Sequence, residues 1–164
     1  MAYTTIDDPS VYFQTVLWSG DNSDSRNITN DGNSDLQPDW VWIKSRSTAG
    51  NGFSHNLYDT SRGVSSSINT ALFADVSDSE GGGDTVTTTA QLGGVSAMLS
   101  DGFTVKEGNT DDARYVNKTG NTYVAWQWKC NGGTTTSFTE SGNNPGGTIQ
   151  TNTTAGFSII TTTG

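Results

Sequence analysis

The strongest constraint on this chain is the two-residue alternation in "DWVWIKSR" (39–46) and "YVAWQWK" (123–129). A period of two puts Trp40 and Trp42 on one side of a strand and Val41 and Ile43 on the other, whereas a helical period would scatter them. Four of the five tryptophans lie in these two stretches. A third run, "VYFQTVLWSGD" (11–21), sets Phe13 and Leu17 on one face and Val16 and Trp18 on the other before stopping at Gly20. A strand apolar on both sides needs cover on both sides. The tryptophans of "YVAWQWK" are expected to point inward, with Ala125, Gln127 and Lys129 toward water. Phe13, Trp40, Trp42, Trp126 and Trp128 are therefore assigned to the core, with Trp42 and Trp126 mostly buried.

Aromatic core material matters because little else is available. Leu, Ile, Val and Phe total 29 of 164 residues, and the net charge is −9. Alone, that balance points to disorder. The 16 aromatics, gathered in alternating runs, argue against it. Gly, Ser, Thr and Asn make up 79 residues, a strand-and-turn composition with few helix formers. "SSSINTALFA" (65–74) has room for two turns of helix, and no longer helical stripe is found. Strands at "PDWVWIKSR" (38–46), "HNLYDT" (55–60), "GFTVKEG" (102–108) and "TYVAWQWKC" (122–130), without crossover helices, imply antiparallel pairing. The expected fold is an all-β, two-sheet antiparallel sandwich of jelly-roll type.

Three organisational units are expected: a sandwich over 1–130, a Gly/Thr/Asn-rich linker over 131–147, and the start of a second β unit over 148–164. The third rests on "FSIITTTG" (157–164) echoing "FQTVLWSG" (13–20), and it implies that the natural chain continues beyond Gly164.

Chemistry is sparse. His55 is the one histidine, so neither an HExxH zinc site nor a His/Cys cluster can be built. No GxSxG elbow accompanies His55 and Asp59 as a triad. Only three glutamates occur, each in or beside a Gly-rich turn, which gives little basis for a glycosidase pair. "YDTSRG" offers Asp59 and Arg62 as a loop tie, or alternatively as ligand contacts with His55 at a sandwich rim. The loops "DNSDSRN" (21–27), "DVSDSEGGGD" (75–84) and "NTDD" (109–112) carry calcium-type oxygens without the order of a helical calcium loop. They read as solvated loops, with calcium binding as the alternative, and no other cofactor is expected. Cys130 stands alone, which rules out an intrachain disulfide and fits a buried structural thiol. Eight cations against seventeen acids disfavour a nucleic-acid partner. No apolar run is long enough to span a bilayer as a helix, and "MAYTTIDDPS" has no secretory leader pattern.

The blocks "YFQTVLWSGD", "NSDLQPDWVWIKSRS", "HNLYDTSRG", "SDGFTV" and "NTYVAWQWK", in this order, resemble the concanavalin A-like lectin-type modules of virion proteins from marine tailed bacteriophages. The resemblance covers about 1–130 and departs over 65–99, which is longer than the pattern. It implies a non-enzymatic component of a particle appendage: a tail fibre, head fibre or capsid decoration. Such a chain is made in the host cytoplasm and released by lysis. It acts with other virion proteins, as a homo-oligomer expected to be trimeric, in particle assembly and host attachment. The alternative is a lectin module that recognises a host surface polysaccharide. The resemblance carries no catalytic residues.

Overall fold

The computed structural model describes residues 5–47, 54–68, 70–82, 89–109 and 116–163. Eleven strands are formed among them. They are β1 (Phe13–Ser19), β2 (Arg26–Ile28), β3 (Trp40–Ser45), β4 (Asn56–Asp59), β5 (Leu72–Phe73), β6 (Gly94–Leu99), β7 (Gly102–Lys106), β8 (Thr122–Trp128), β9 (Thr136–Phe138), β10 (Gly147–Asn152) and β11 (Phe157–Thr162). Helical structure is confined to single turns, and no helix among the described residues is long and apolar enough to cross a membrane.

Every pairing is antiparallel. A five-stranded sheet runs β1-β8-β3-β4-β5, and a three-stranded sheet runs β2-β7-β6. Their facing sides enclose the core as a sandwich. Val16, Trp18, Val41, Ile43, Tyr58, Tyr123 and Ala125 come from the larger sheet; Ile28, Val95, Phe103 and Val105 come from the smaller. Trp18 is the core tryptophan. Its ring stacks on Tyr123 at 5.3 Å, meets Phe103 edge-on at 5.8 Å, and its indole N–H donates to the Val116 carbonyl at 3.2 Å. The buried indole thus keeps its one polar group satisfied.

Two sequence blocks lock together at one end. β6 and β7 form a hairpin, and Gly102 begins the return strand with φ at +101°. A Cβ there would lie 2.0 Å from the Ile28 carbonyl oxygen, so only glycine fits. Gly102 N–H donates to the Leu36 carbonyl at 2.9 Å, and Leu36 N–H donates to Asp101 Oδ1 at 3.2 Å. The "SDGF" turn therefore holds the "DLQPD" loop that feeds β3.

The third sheet, β11-β10-β9, holds the C-terminal residues. The stretch 131–147, read from sequence as a linker, contains β9 and the Ser141–Asn144 bridge. Its Gly and Asn residues make the turns, while Thr136–Phe138 pairs with β10. Over 65–74, where the sequence has room for two helical turns, the described residues contain β5 instead. Phe73 is drawn into the core opposite Asn56.

The outward assignment of Ala125 and Gln127 is corrected. Both are fully buried on the inner face, opposite Ile43 and Val41. Phe103→Ala should cost ~3–5 kcal/mol by cavity formation, whereas Leu17→Ala on the outer face should stay within about 0.5 kcal/mol. Urea unfolding of the two variants checks the assignment of faces.

Candidate functional site

Because β8 turns Tyr123, Ala125 and Gln127 inward, its tryptophans must face out. Register carries this across the sheet: Phe13, Trp128 and Trp40 form one cross-strand row, and Thr15, Trp126, Trp42 and Leu57 form the next. The four indoles are half-buried, and Phe13 is 39% exposed. Trp42 and Trp126 keep most of their surface covered, as expected, but Phe13, Trp40, Trp42, Trp126 and Trp128 all lie outside the core, which corrects their placing there. They form an aromatic ridge on the outer face of the five-stranded sheet. The physical reason is strand alternation: Val41, Ile43 and Ala125 fill the inner positions of β3 and β8 beside the Trp18, Tyr123 and Phe103 rings, which sends the four neighbouring indoles to the other face.

The ridge has two halves. In one, Phe13 meets Trp128 at 4.9 Å, and Phe157 from β11 stacks on Trp128 at 5.9 Å while meeting Trp40 edge-on at 6.5 Å. The C-terminal sheet therefore covers this end. Beside it, Ile6, Pro9, Tyr12, Phe13, Trp128 and Ala155 line a mostly apolar pocket of about 270 Å³. In the other half, Trp42 and Trp126 meet edge-on at 5.5 Å, and Trp42 meets His55 at the same distance. The Trp42 indole N–H donates to His55 Nδ1 at 2.9 Å. Since that nitrogen accepts, the imidazole proton sits on Nε2.

The candidate site residues His55, Asp59 and Arg62 do not converge. His55 stands before β4 against Trp42, with its backbone N–H bonded to Asp75 Oδ1 at 2.9 Å. Asp59 and Arg62 stand at the other end. There Arg62 Nε and Nη2 each reach Asp59 Oδ2 at 2.6 Å, and Arg62 N–H donates to Asp59 Oδ1 at 2.9 Å. The guanidinium also donates to the Thr70 carbonyl at 2.5 Å and to Glu80 Oε1 at 3.1 Å. With its donors committed to the chain, the group fixes the turn after β4 and ties it to the segment around β5.

A buried polar network was missed in the sequence. Asp39, fully buried just before β3, accepts from Thr60 Oγ1 at 2.8 Å, Cys130 N–H at 2.6 Å and Gly132 N–H at 3.0 Å. Thr60 Oγ1 in turn accepts from Gln150 Nε2 at 2.9 Å, and the same nitrogen donates to Ser61 Oγ at 2.8 Å. Gln150 Oε1 accepts from the backbone N–H of Asn131 at 3.2 Å and of Gly133 at 3.3 Å. This chain of bonds fastens the C-terminal sheet to the sandwich. The only advance signal was an acid placed directly between Pro38 and a strand. Cys130 is buried beside it, and burial first, then the Asp39 carboxylate, push its thiol up, which makes it a poor nucleophile.

Among the described residues, no group of three or more His, Cys, Asp or Glu is placed to hold a metal ion. In the 21–27 loop, Asp21 bonds the Ser23 backbone N–H, the Asn117 amide and Arg26. Residues 83–88 and 110–115, parts of two other oxygen-rich loops or their flanks, lie outside the described residues.

A family model for a domain of unknown function, DUF7483, matches residues 8–164. The chain belongs to that family. No curated protein and no solved structure matches it. The DUF7483 match runs through the sandwich and on across β9, β10 and β11, the same span that the Asp39–Gln150 network joins.

Replacing Gln150 with Leu leaves the Asn131 and Gly133 N–H groups without their acceptor and removes a donor from the Thr60 and Ser61 hydroxyls, at a cost of about 1–3 kcal/mol. Amide exchange should speed up in β9–β11 while β7 and β8 stay protected. The hydrogen bond from Ser23 N–H, then that from Asn117, holds the Asp21 carboxyl below its usual 3.8. A depressed folded-state value contributes stability above the unfolded value and loses it as pH falls. Asp21→Asn should therefore lower Tm at neutral pH, with the gap to the parent closing as the pH drops through and below 3.8.

Proposed function

We propose that this DUF7483 chain is a non-enzymatic structural and interaction module of a phage particle, a fibre or capsid-associated component that contacts other virion proteins. The observation that carries the interaction role is the outer face of the five-stranded sheet. An antiparallel sheet with one solvated face normally alternates polar residues outward. Here the outward positions include Leu17, Leu57, Trp42, Val124 and Trp126 at the centre of the face, with Thr15, Ser19, Lys44, Asp59 and Thr122 as the polar positions among and around them. Apolar faces of this kind mark contact surfaces, and half-exposed indoles suit the anchor residues of an interface. The assignment to a virion comes from the sequence blocks that resemble phage modules.

The single histidine and the Asp59–Arg62 pair are engaged in internal bonds, which supports a role without catalysis. In a density gradient of an infected-cell lysate, the chain should band with intact particles. A double variant, Trp42→Ala with Trp126→Ala, should bind stripped particles about tenfold or more weakly while keeping its β circular dichroism. Recovery of the parent chain only in the soluble fraction would overturn the reading.

The half-exposure of Trp42 and Trp126 also favours a second reading, a lectin module stacking sugar rings on those indoles. Titration with host surface polysaccharide, followed by tryptophan fluorescence, separates the two. A saturable change lost in the double variant supports the lectin role. No change at millimolar sugar, with particle binding intact, removes it.

A further inference from the structure

The free edge of β1 has the makings of a self-pairing site. Among the described residues β1 has a neighbouring strand on one side only, β8. Lys129 N–H donates to the Tyr12 carbonyl at 2.9 Å, and Gly20 N–H donates to the Asn121 carbonyl at 2.8 Å. Both pairs continue the β1–β8 register. Since bonded and non-bonded pairs alternate along an antiparallel ladder, the even-numbered residues of β1 bond to β8. The backbone N–H and C=O groups of Phe13, Thr15, Leu17 and Ser19 then point away from the sheet. The Ser19 carbonyl is taken by Arg26, which leaves Phe13, Thr15 and Leu17 as an open template.

Open edges are usually blunted by charge, proline, bulges or brevity. The other edges of the sandwich show this: β5 has two residues, β2 has three, and β6 is bulged between Val95 and Ala97. β1 is a seven-residue strand, "FQTVLWS", with no charge, no proline and no glycine. Its side chains are also arranged symmetrically. Phe13 and Leu17, 39% and 58% exposed, flank Thr15 at equal spacing.

We propose that β1 pairs antiparallel with β1 of a second copy about a twofold axis at Thr15, merging the two five-stranded sheets into one. This register sets Phe13 of each copy opposite Leu17 of the other, a favourable aromatic–aliphatic cross-strand pair. It forms about six backbone hydrogen bonds and an isologous interface. Despite the net charge of −9, no charged side chain of the strand enters the contact. The six-residue β11 edge is also uncharged, but its exposed positions Ser158, Ile160 and Thr162 offer a single apolar side chain to such a pairing. The assembly is twofold, unlike the trimer expected from the sequence, and it does not rest on the particle-binding reading, because it is measured on the chain alone.

Sedimentation equilibrium of the full chain should give twice its 17.3 kDa mass. Leu17→Lys should weaken the dimer at least about tenfold with its β circular dichroism unchanged, while Ile160→Lys should leave the dimer intact. Thr15→Cys should cross-link between copies with a short bis-maleimide, whereas Ser19→Cys, about 27 Å from its mate in this register, should not. The unsubstituted chain, with Cys130 buried, is the control. A monomer at every concentration up to about 100 µM, a threefold mass, or a dimer broken by Ile160→Lys and not by Leu17→Lys overturns the proposal. Should Leu17→Lys fail to fold, the Thr15 cross-link decides alone: its absence in a folded dimer overturns the register.

Discussion

β8 is the strand on which the rest of the architecture depends. It lies between β1 and β3 and is paired along its length with both. Its inward residues, Tyr123, Ala125 and Gln127, decide which side of the larger sheet meets β2, β6 and β7. Because strand side chains alternate strictly, that choice also decides where the tryptophans go. One register therefore specifies both the core of the sandwich and the ridge outside it. A slip by one residue would exchange the two, placing indoles in a gap now filled by Ala125 and Ile43.

Gln127 shows how closely this interior is specified. It is fully buried, and its amide nitrogen bonds Asn30 Oδ1 at 2.5 Å. Gln14, its neighbour in β1, donates to the carbonyls of Ser10 and Ser34 and accepts from Gly32 N–H. The inner face at this end is thus polar and carries the 29–35 loop, while the apolar part of the core lies toward Trp18, Tyr123 and Phe103. A chain poor in Leu and Ile closes its sandwich with Trp18, Tyr58, Tyr123, Phe73 and Phe103, a set of β-branched residues and side-chain amides that tie down loops.

The existence and type of the rich strands were legible in the sequence, since the period of two in "DWVWIK" and "YVAWQWK" admits nothing else. Their orientation was not. Trp40/Trp42 and Val41/Ile43 are both apolar pairs, so β3 alone cannot say which side is inward. The answer lies in Tyr123 and Ala125, which must be read together with a partner strand aligned only in three dimensions. The strand β6 was hidden for a related reason: "GVSAML" follows a long polar stretch, and its Gly94 and Ser96 dilute the pattern. The Asp39–Thr60–Gln150 network joins positions up to 111 residues apart, and no local pattern marks such a contact. The Asp59–Arg62 tie, three residues apart, could be read directly.

The C-terminal sheet extends this reasoning from fold to surface. Phe157 roofs Trp40 and Trp128, and Gln150 holds that roof to the turn after β4. One half of the ridge is thereby committed within the chain. The remaining half, Trp42 and Trp126 with Leu17 and Leu57 beside them, has its rings already fixed by each other and by His55. Rings held in place lose little conformational freedom when a partner arrives, which favours contact with a flat partner surface. The sheet edge at β1 borders this same face, so pairing there would double the area of the ridge and present two copies of it side by side. A weak contact at each indole pair would then act as a bivalent one, with the spacing set by the rigid sheet rather than by a linker.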